Sequence, residues 1–256
     1  MLNGHGGNIY DIAHRLGCMP SEIIDMSSNV NPLGPPPGLV NFLKQKINVI
    51  TALPQVDANL LVLSFADRYG VDPATVLAGN GSTQFIYSIP LALGIKRALI
   101  LGPTYADYAD ACSMHNIYFE YFIARESQGF KADINLIKKG VKGFDTVFIC
   151  NPNNPTGTLY TGAEIESLCR ALPDTCFVID ESYLPFVTAG DHDSMLGRGL
   201  PNVIILNSMS KIFRISGLRI GFIIASKSVI ETLTHYSLPW SVNALAQAGV
   251  RYLMEH

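Results

Sequence analysis

A lysine and two arginines follow a short apolar run towards the C-terminal end of the chain. The run VIILN, residues 203–207, is rich in β-branched residues and predicts a buried strand, after which come Lys211, Arg214 and Arg219. A lysine amine becomes a nucleophile when burial or a neighbouring cation lowers its pKa, and it can then form a Schiff base. A solvated loop cation is the alternative, so the sequence marks Lys211 as a candidate catalytic amine rather than an assigned one.

A carboxylate ends another apolar run. The segment VIDESY, residues 178–183, places Asp180 at the end of a predicted strand and Tyr183 shortly after it. A carboxylate in that position is costly unless a cation or hydrogen-bond donors satisfy it. Asp180 could cap the following turn, or it could pair with a protonated ring nitrogen of a ligand.

Two loops could hold the remainder of such a ligand. The loop GNGST, residues 79–83, precedes an apolar helical pattern, so Ser82, Thr83 and free backbone N–H groups could bind an anion. A glycine turn with an ordinary serine or threonine N-cap is the alternative. In PNNPTG, residues 152–157, two prolines stiffen the backbone around Asn154, whose amide could bond a ligand hydroxyl or phenolate.

Each of these groups alone favours a structural role, but together they match what pyridoxal phosphate requires. That cofactor needs a Schiff-base lysine, an acid partner for its ring nitrogen, a partner for its phenolic oxygen and a phosphate cradle. We therefore predict pyridoxal 5'-phosphate as the cofactor and no metal site.

The elements that must position these residues alternate between strands and helices. Continuous apolar strands separated by helices predict an α/β fold, with a mostly parallel sheet covered by helices on both faces. Ligands bind beyond the carboxyl ends of such strands, so Asn154, Asp180 and Lys211 are expected to meet in one crevice. The strand candidates are residues 97–102, 145–151, 176–181, 202–207 and 220–225, and the helix candidates include residues 59–70, 104–116 and 162–172.

Composition restricts the class of protein. The 256 residues are 48% hydrophobic and 15% charged, with a formal net charge of −3, which indicates a packed globular protein without a basic surface for nucleic acid. The five cysteines form no CxxC pair or framework and are expected to be reduced. The N-terminus has no apolar signal-peptide region, and no apolar run is long enough to span a bilayer. We expect a cytoplasmic protein with no membrane or nucleic-acid partner.

The order of these motifs resembles the fold type I, aspartate-aminotransferase-like family of pyridoxal-phosphate enzymes. The resemblance extends over nearly the whole chain and implies that Lys211 carries the cofactor and that Asp180 pairs with its ring nitrogen. It also implies that Tyr105, in GPTYADY, stacks on the ring, and that Asn154 and Tyr183 bond its phenolic oxygen. The candidates for the cofactor phosphate are Ser82, Thr83, Ser208, Ser210 and Arg219.

Within this family, the N-terminal residues are similar to those of the L-threonine-O-3-phosphate decarboxylases of cobalamin synthesis. The similarity lies in HGGNIYDIAHRLG and IIDMSSNVNPLGPP, and in LPWSVNALAQAG near the end of the chain. It implies that His5, Gly6 and Asn29, with Asn154, contact a small phosphorylated amino acid, which loses CO2 to give (R)-1-amino-2-propanol O-2-phosphate. Residues 1–34 would form a substrate-contacting segment, and residues 35–256 the large cofactor-binding domain.

Two departures and two alternatives accompany this resemblance. Leu53 stands where family members usually have a tyrosine that reaches the cofactor phosphate of a neighbouring subunit in a homodimer. The chain ends inside a predicted helix, whereas family members continue into a small domain, so the C-terminal region is expected to be truncated. A histidinol-phosphate aminotransferase is the nearest alternative function, and a non-catalytic binding protein that retains the fold is an alternative of another class.

Overall fold

A mixed sheet forms the centre of the molecule. The computed structural model describes residues 6–188 and 194–255, and within them seven strands pair in the order β1-β7-β6-β5-β4-β2-β3. Strands β2 to β6 are parallel to one another, whereas β7 runs antiparallel to both β1 and β6. The strands are β1 (Val76–Gly79), β2 (Arg97–Gly102), β3 (Tyr118–Ile123), β4 (Thr146–Cys150), β5 (Cys176–Asp180), β6 (Val203–Ser208) and β7 (Gly221–Ile224).

Helices cover both faces of this sheet. One face packs against α2, α3, α6, α7 and α10, and the other against α4, α5 and α9. The described helices are α1 (Ile9–Leu16), α2 (Leu39–Gln45), α3 (Asn59–Tyr69), α4 (Ser82–Ala92), α5 (Asp107–Met114), α6 (Ile134–Gly140), α7 (Gly162–Ala171), α8 (Met209–Ile212), α9 (Lys227–Thr234) and α10 (Ala244–Glu255). This architecture confirms the predicted α/β class and the mostly parallel sheet.

The central strands are apolar throughout because both of their faces are buried. In β4, Val147 and Ile149 face the cluster that contains α3 and α7, while Phe148 and Cys150 face the cluster that contains α4 and α5. Strand side chains alternate between the two faces, so a run without polar residues is expected where helices cover both.

Two strands were not predicted from the sequence. Strand β3 lies at the sheet edge, and its tyrosines Tyr118 and Tyr121 are exposed, so it lacks the continuous apolar run of a central strand. Strand β1 is short and leads directly into the glycine loop before α4. The end of β1 leads to the predicted site residues Ser82 and Thr83, whereas β3 carries none of the predicted site residues.

The N-terminal segment is attached to the end of α8. The backbone N–H of Asn31 donates to the carbonyl oxygen of Lys211, and Asn31 Nδ2 donates to the carbonyl oxygen of Ile212. Arg214 Nη1 donates in turn to the carbonyl oxygens of Asn31 and Pro32, at 3.1 Å each. Residues 1–34 as a separate substrate-contacting unit remain a prediction. Among the described helices, none combines the length and apolar character needed to cross a bilayer.

Candidate active site

A cavity of about 1060 Å³ opens beyond the carboxyl ends of the parallel strands. The structure brings to its wall every predicted site residue that lies in the described part of the chain. His5 lies outside the described residues, and Leu53 is exposed, away from the cavity lining. The predicted residues that line the cavity are Gly6, Asn29, Ser82, Thr83, Tyr105, Asn154, Asp180, Tyr183, Ser208, Ser210, Lys211 and Arg219.

The strand order explains this convergence. Asp180 ends β5, Lys211 follows the adjacent β6, and Asn154 follows β4 on the other side of β5. Because these three strands are parallel, their carboxyl ends lie at one sheet edge. Arg219 reaches the same edge from the opposite direction, since it lies two residues before the first residue of the antiparallel strand β7.

Lys211 is in an environment that favours its neutral amine. Burial lowers the pKa of Lys211 below its ordinary value, and the positive charge of Arg219 lowers it further. The carboxylates of Asp180 and Asp107 act in the opposite direction without cancelling the effect. A neutral lysine amine is the form that attacks a carbonyl carbon, so this environment suits a nucleophilic amine.

Asp180 is a buried carboxyl group with hydrogen-bond donors on both oxygens. The Ser182 N–H donates to Oδ1 at 3.0 Å, and the Tyr108 hydroxyl donates to Oδ2 at 2.8 Å. Burial raises the pKa of Asp180, while these donors and the charge of Lys211 oppose the rise. A buried carboxyl group of this kind becomes more favourable as an anion when a cationic ligand group enters the cavity. The Ser182 bond also shows that Asp180 caps the turn after β5, so both roles considered from the sequence are compatible.

The glycine loop and Arg219 form an anion cradle. A Cβ at position 81 would lie 2.5 Å from Arg219 Nη2, and a Cβ at position 221 would overlap the backbone N of Ser82. The residue before α4 is Gly81, which makes no side-chain cap, so the serine or threonine N-cap considered from the sequence is absent from this helix. The free N–H groups at the start of α4 and the guanidinium group therefore lie together, as a phosphate group requires.

Another part of the cavity wall consists of amide and phenol groups. Asn29 Nδ2 donates to Asn154 Oδ1 at 3.1 Å, and the side chain of Asn29 also hydrogen-bonds Tyr183. Tyr105 hydrogen-bonds Asp107, and burial raises the pKa of its phenol, so the ring is held neutral beside the cavity. The N-terminal segment thus contributes directly to the wall, through Asn29.

Sequence reasoning missed two polar residues beside the cavity. Asp107, at the start of α5, is 2% exposed and acts on both Tyr105 and Lys211. Tyr108, one residue later, is buried and bonds Asp180. The available signal was the run YADY, in which an acid and a second tyrosine stand two and three residues after the predicted stacking residue.

The donor set fits pyridoxal phosphate. The cavity contains an amine whose pKa is lowered, a buried acid able to pair with a ring nitrogen and a cradle for a phosphate group. Among the described residues, no cluster of histidine, cysteine, aspartate or glutamate has the arrangement of a metal site.

Comparison with known proteins places this architecture in a family. Residues 21–255 match the model described as "Aminotransferase class I and II". The chain is 34% identical to the bifunctional adenosylcobalamin biosynthesis protein CobDQ of Leptospira interrogans over 96% of this chain and 29% of that protein. It is 31% identical to the threonine-phosphate decarboxylase of Salmonella typhimurium over 95% of this chain and 68% of that protein.

Solved structures agree with these sequence relatives. The L-threonine-O-3-phosphate decarboxylase from Porphyromonas gingivalis superposes with a TM-score of 0.80 at 34% identity, over 90% of this chain and 68% of that one. Histidinol-phosphate aminotransferases are also among the matching proteins and structures. The chain therefore spans less than a third of the bifunctional relative and about two thirds of the decarboxylases. The matched residues include the whole sheet and every predicted residue that lines the cavity except Gly6, and the chain belongs to the aminotransferase class I and II family.

Proposed function

We propose that this chain is the cofactor-binding part of a pyridoxal-phosphate-dependent carboxy-lyase that acts on L-threonine O-3-phosphate. The products would be CO2 and (R)-1-amino-2-propanol O-2-phosphate. The observation that carries the proposal is the meeting of Lys211, Asp180 and the Gly81–Arg219 cradle in one cavity, with Asn29 of the N-terminal segment in its wall. Similarity to threonine-phosphate decarboxylases supports the choice of substrate.

Different residues of the chain would bind different groups of the cofactor. Lys211 would bind its aldehyde carbon covalently, Asp180 its ring nitrogen and Tyr105 its ring face. Asn154 and Tyr183 would bind its phenolic oxygen, and the phosphate would lie at Ser82, Thr83, Ser208, Ser210 and Arg219. When bound, pyridoxal phosphate supplies an electron sink for the pair released when a bond to the substrate's Cα breaks.

Asp180 and Lys211 would manage the protons of the reaction. The Asp180 carboxylate, held among its donors, would stabilise a proton on the ring nitrogen. Lys211 would give up the cofactor to the substrate amine, and its freed amine would then return a proton to Cα. The lowered pKa of Lys211 favours both roles, because attack requires the neutral amine and a less basic amine releases its proton to Cα more readily.

The chain would select between decarboxylation and amine transfer through substrate orientation. A decarboxylase would have to orient the Cα–carboxylate bond for cleavage, whereas an aminotransferase would have to orient the Cα–H bond. Contacts to a remote phosphate group can hold one orientation, which uses binding energy away from the reacting centre. Gly6 and Asn29 line the cavity where such contacts would be made, and His5 is the neighbouring candidate from the sequence.

A histidinol-phosphate aminotransferase is the second candidate, because proteins of that name match most of this chain and would use the same cofactor residues. A non-catalytic binding protein is the third. The joint presence of Lys211, Asp180, Asn154 and Arg219 in one cavity argues against it. A homodimer is part of the proposal, on the basis of the family resemblance.

The test is a product analysis with two substrates. The purified chain is incubated with pyridoxal phosphate and O-phospho-L-threonine, and CO2 and aminopropanol phosphate are measured. A parallel reaction contains histidinol phosphate and 2-oxoglutarate. Release of CO2 without an oxo-acid acceptor supports the decarboxylase, whereas amine transfer that requires the acceptor, without CO2, supports the aminotransferase. Failure to bind pyridoxal phosphate supports the non-catalytic alternative.

A further inference from the structure

The buried tyrosine of α5 contacts the carboxyl group at the end of β5. Tyr108 is 1% exposed, and its hydroxyl donates to Asp180 Oδ2 at 2.8 Å. Its ring stacks on Phe148, with 5.5 Å between ring centroids, and meets Tyr105 edge-on at 5.9 Å. The ring is therefore fixed on two sides, and the hydroxyl has a defined direction.

Strand register places the hydroxyl where it can act on the carboxyl group. Cys150 and Asp180 are register partners on the parallel strands β4 and β5, so their side chains lie side by side on the face covered by α5. Phe148 lies two residues before Cys150 on that same face, which is why the Tyr108 ring that rests on it reaches Asp180. The Cys150 thiol is also within hydrogen-bonding reach of the Tyr108 hydroxyl.

We propose that Tyr108 is a positioning residue for Asp180, holding the carboxylate ionised and aimed at the cofactor's ring nitrogen. This inference rests on the proposed function, in which Asp180 is the partner of that nitrogen. Tyr108 acts through Asp180 and donates to its Oδ2 from α5, whereas Ser182 donates its backbone N–H to Oδ1 and also acts on the carboxyl group through its side chain.

The physical reason is that a buried carboxylate needs donors for both oxygens. Asp180 is 4% exposed, so water contributes little to its solvation. Burial alone favours the protonated acid, and a protonated Asp180 could not stabilise a proton on the ring nitrogen. The Tyr108 bond favours the ionised form and fixes the rotation of the carboxyl group. The lone pairs that this bond does not use remain available to a group in the cavity.

The test removes the hydroxyl and retains the ring. In Tyr108→Phe, packing on Phe148 is preserved while a buried acceptor loses its donor, so we expect the dissociation constant for pyridoxal phosphate to rise about tenfold. The chain is also loaded with pyridoxal phosphate isotope-labelled at the ring nitrogen, and nitrogen NMR reports whether that atom is protonated. We expect the signal to move towards the unprotonated form in Y108F.

A matched control separates positioning from stability. Tyr160 is also buried, its hydroxyl is bonded to both backbone groups of Ala132, and it lies in the cluster on the other face of the sheet. Tyr160→Phe should lower the melting temperature and leave both cofactor readouts unchanged. An identical change of the nitrogen signal in Y160F and Y108F would overturn the proposal.

A second comparison shows whether Tyr108 acts through Asp180. In a D180N background, adding Tyr108→Phe should change the cofactor affinity by less than about twofold, because the group it serves has been replaced. A wild-type protein that leaves the ring nitrogen unprotonated would overturn the role of Asp180 in the proposed function, and this inference with it. A protonated nitrogen in the wild type that is equally protonated in Y108F would overturn only the role of Tyr108.

Discussion

The guanidinium group of Arg219 lies against the backbone of Gly81, in the space that a side chain at position 81 would fill. A Cβ there would be 2.5 Å from Arg219 Nη2. Both residues adopt positive φ, 79° at Gly81 and 55° at Arg219, so the contact joins two unusual backbone conformations. The result is a fixed cation beside the first N–H groups of α4, which is an arrangement suited to a phosphate group.

Gly81→Ala should weaken cofactor binding, whereas a glycine-to-alanine change outside the cradle should not. The new methyl group must displace the guanidinium, so we expect the dissociation constant for pyridoxal phosphate to rise about tenfold or more. Gly94→Ala is the matched control, because Gly94 also has a positive φ, 61°, but a Cβ there meets nothing within 4 Å. Gly94→Ala should lose roughly 1–2 kcal/mol of stability from backbone strain. Gly81→Ala should lose more, because its φ of 79° and ψ of 161° lie in a region essentially restricted to glycine. Equal cofactor affinity in G81A and G94A would contradict the cradle.

Arg219→Gln should change the pH dependence of cofactor capture. The positive charge of Arg219 contributes to the lowered pKa of Lys211, so its removal raises that pKa and leaves less neutral amine at a given pH. The pH midpoint for the rate of covalent capture should move to higher pH. Stopped-flow absorbance over a pH series measures it, with Arg170→Gln as a control, since Arg170 pairs with Glu166 outside the cavity. A midpoint that moves to lower pH would contradict the electrostatic relationship.

Lys211→Ala should abolish covalent capture while the rest of the cavity still binds the cofactor. Borohydride reduction followed by peptide mass analysis should locate the label on Lys211 in the wild type and find no label in K211A. Activity on O-phospho-L-threonine should fall by about 10³-fold or more, because both the attacking amine and a proton donor are lost. Labelling of a different lysine in the wild type would refute the assignment.

Glu181→Gln should change how stability depends on pH. Glu181 is 2% exposed, accepts a hydrogen bond from the Met195 N–H at 2.7 Å and contacts the Ser194 hydroxyl. Burial raises the pKa of Glu181 to about 7 from an ordinary value of 4.5. The folded state therefore holds this proton more tightly than the unfolded chain, so the wild type has the full stabilisation below pH 4.5 and loses it as the pH rises through 7.

The measurement for Glu181 is urea unfolding from pH 4 to 8 in wild type and E181Q, at roughly unit steps. Between pH 4 and pH 8, the free energy of unfolding of E181Q should rise relative to that of the wild type by up to about 3 kcal/mol. Any change in the free energy of unfolding that the amide itself causes would be the same at every pH. A difference that stays flat, or that moves in favour of the wild type as pH rises, would show that the carboxyl group is not held protonated.

Much of the sheet could be predicted from the sequence, because β4, β5 and β6 are buried on both faces and read as continuous apolar runs. The antiparallel direction of β7 could not, since its run IGFIIA has the same composition as a parallel strand and direction depends on pairing. Tyr108 was missed for a related reason. Its function depends on α5 packing over the pair Cys150 and Asp180, which only the strand register reveals.

The direction of β7 has a consequence for the two cations of the cavity. Ser208 and Gly221 are register partners in antiparallel strands, so the segment between them leaves and re-enters the sheet at adjacent points. Lys211 and Arg219 both lie on that segment, one near each end. The amine and the guanidinium group thus belong to a single short segment, whose two ends continue into neighbouring strands. The separation of these two charges along the chain is therefore set by one segment and the strand pair at its ends.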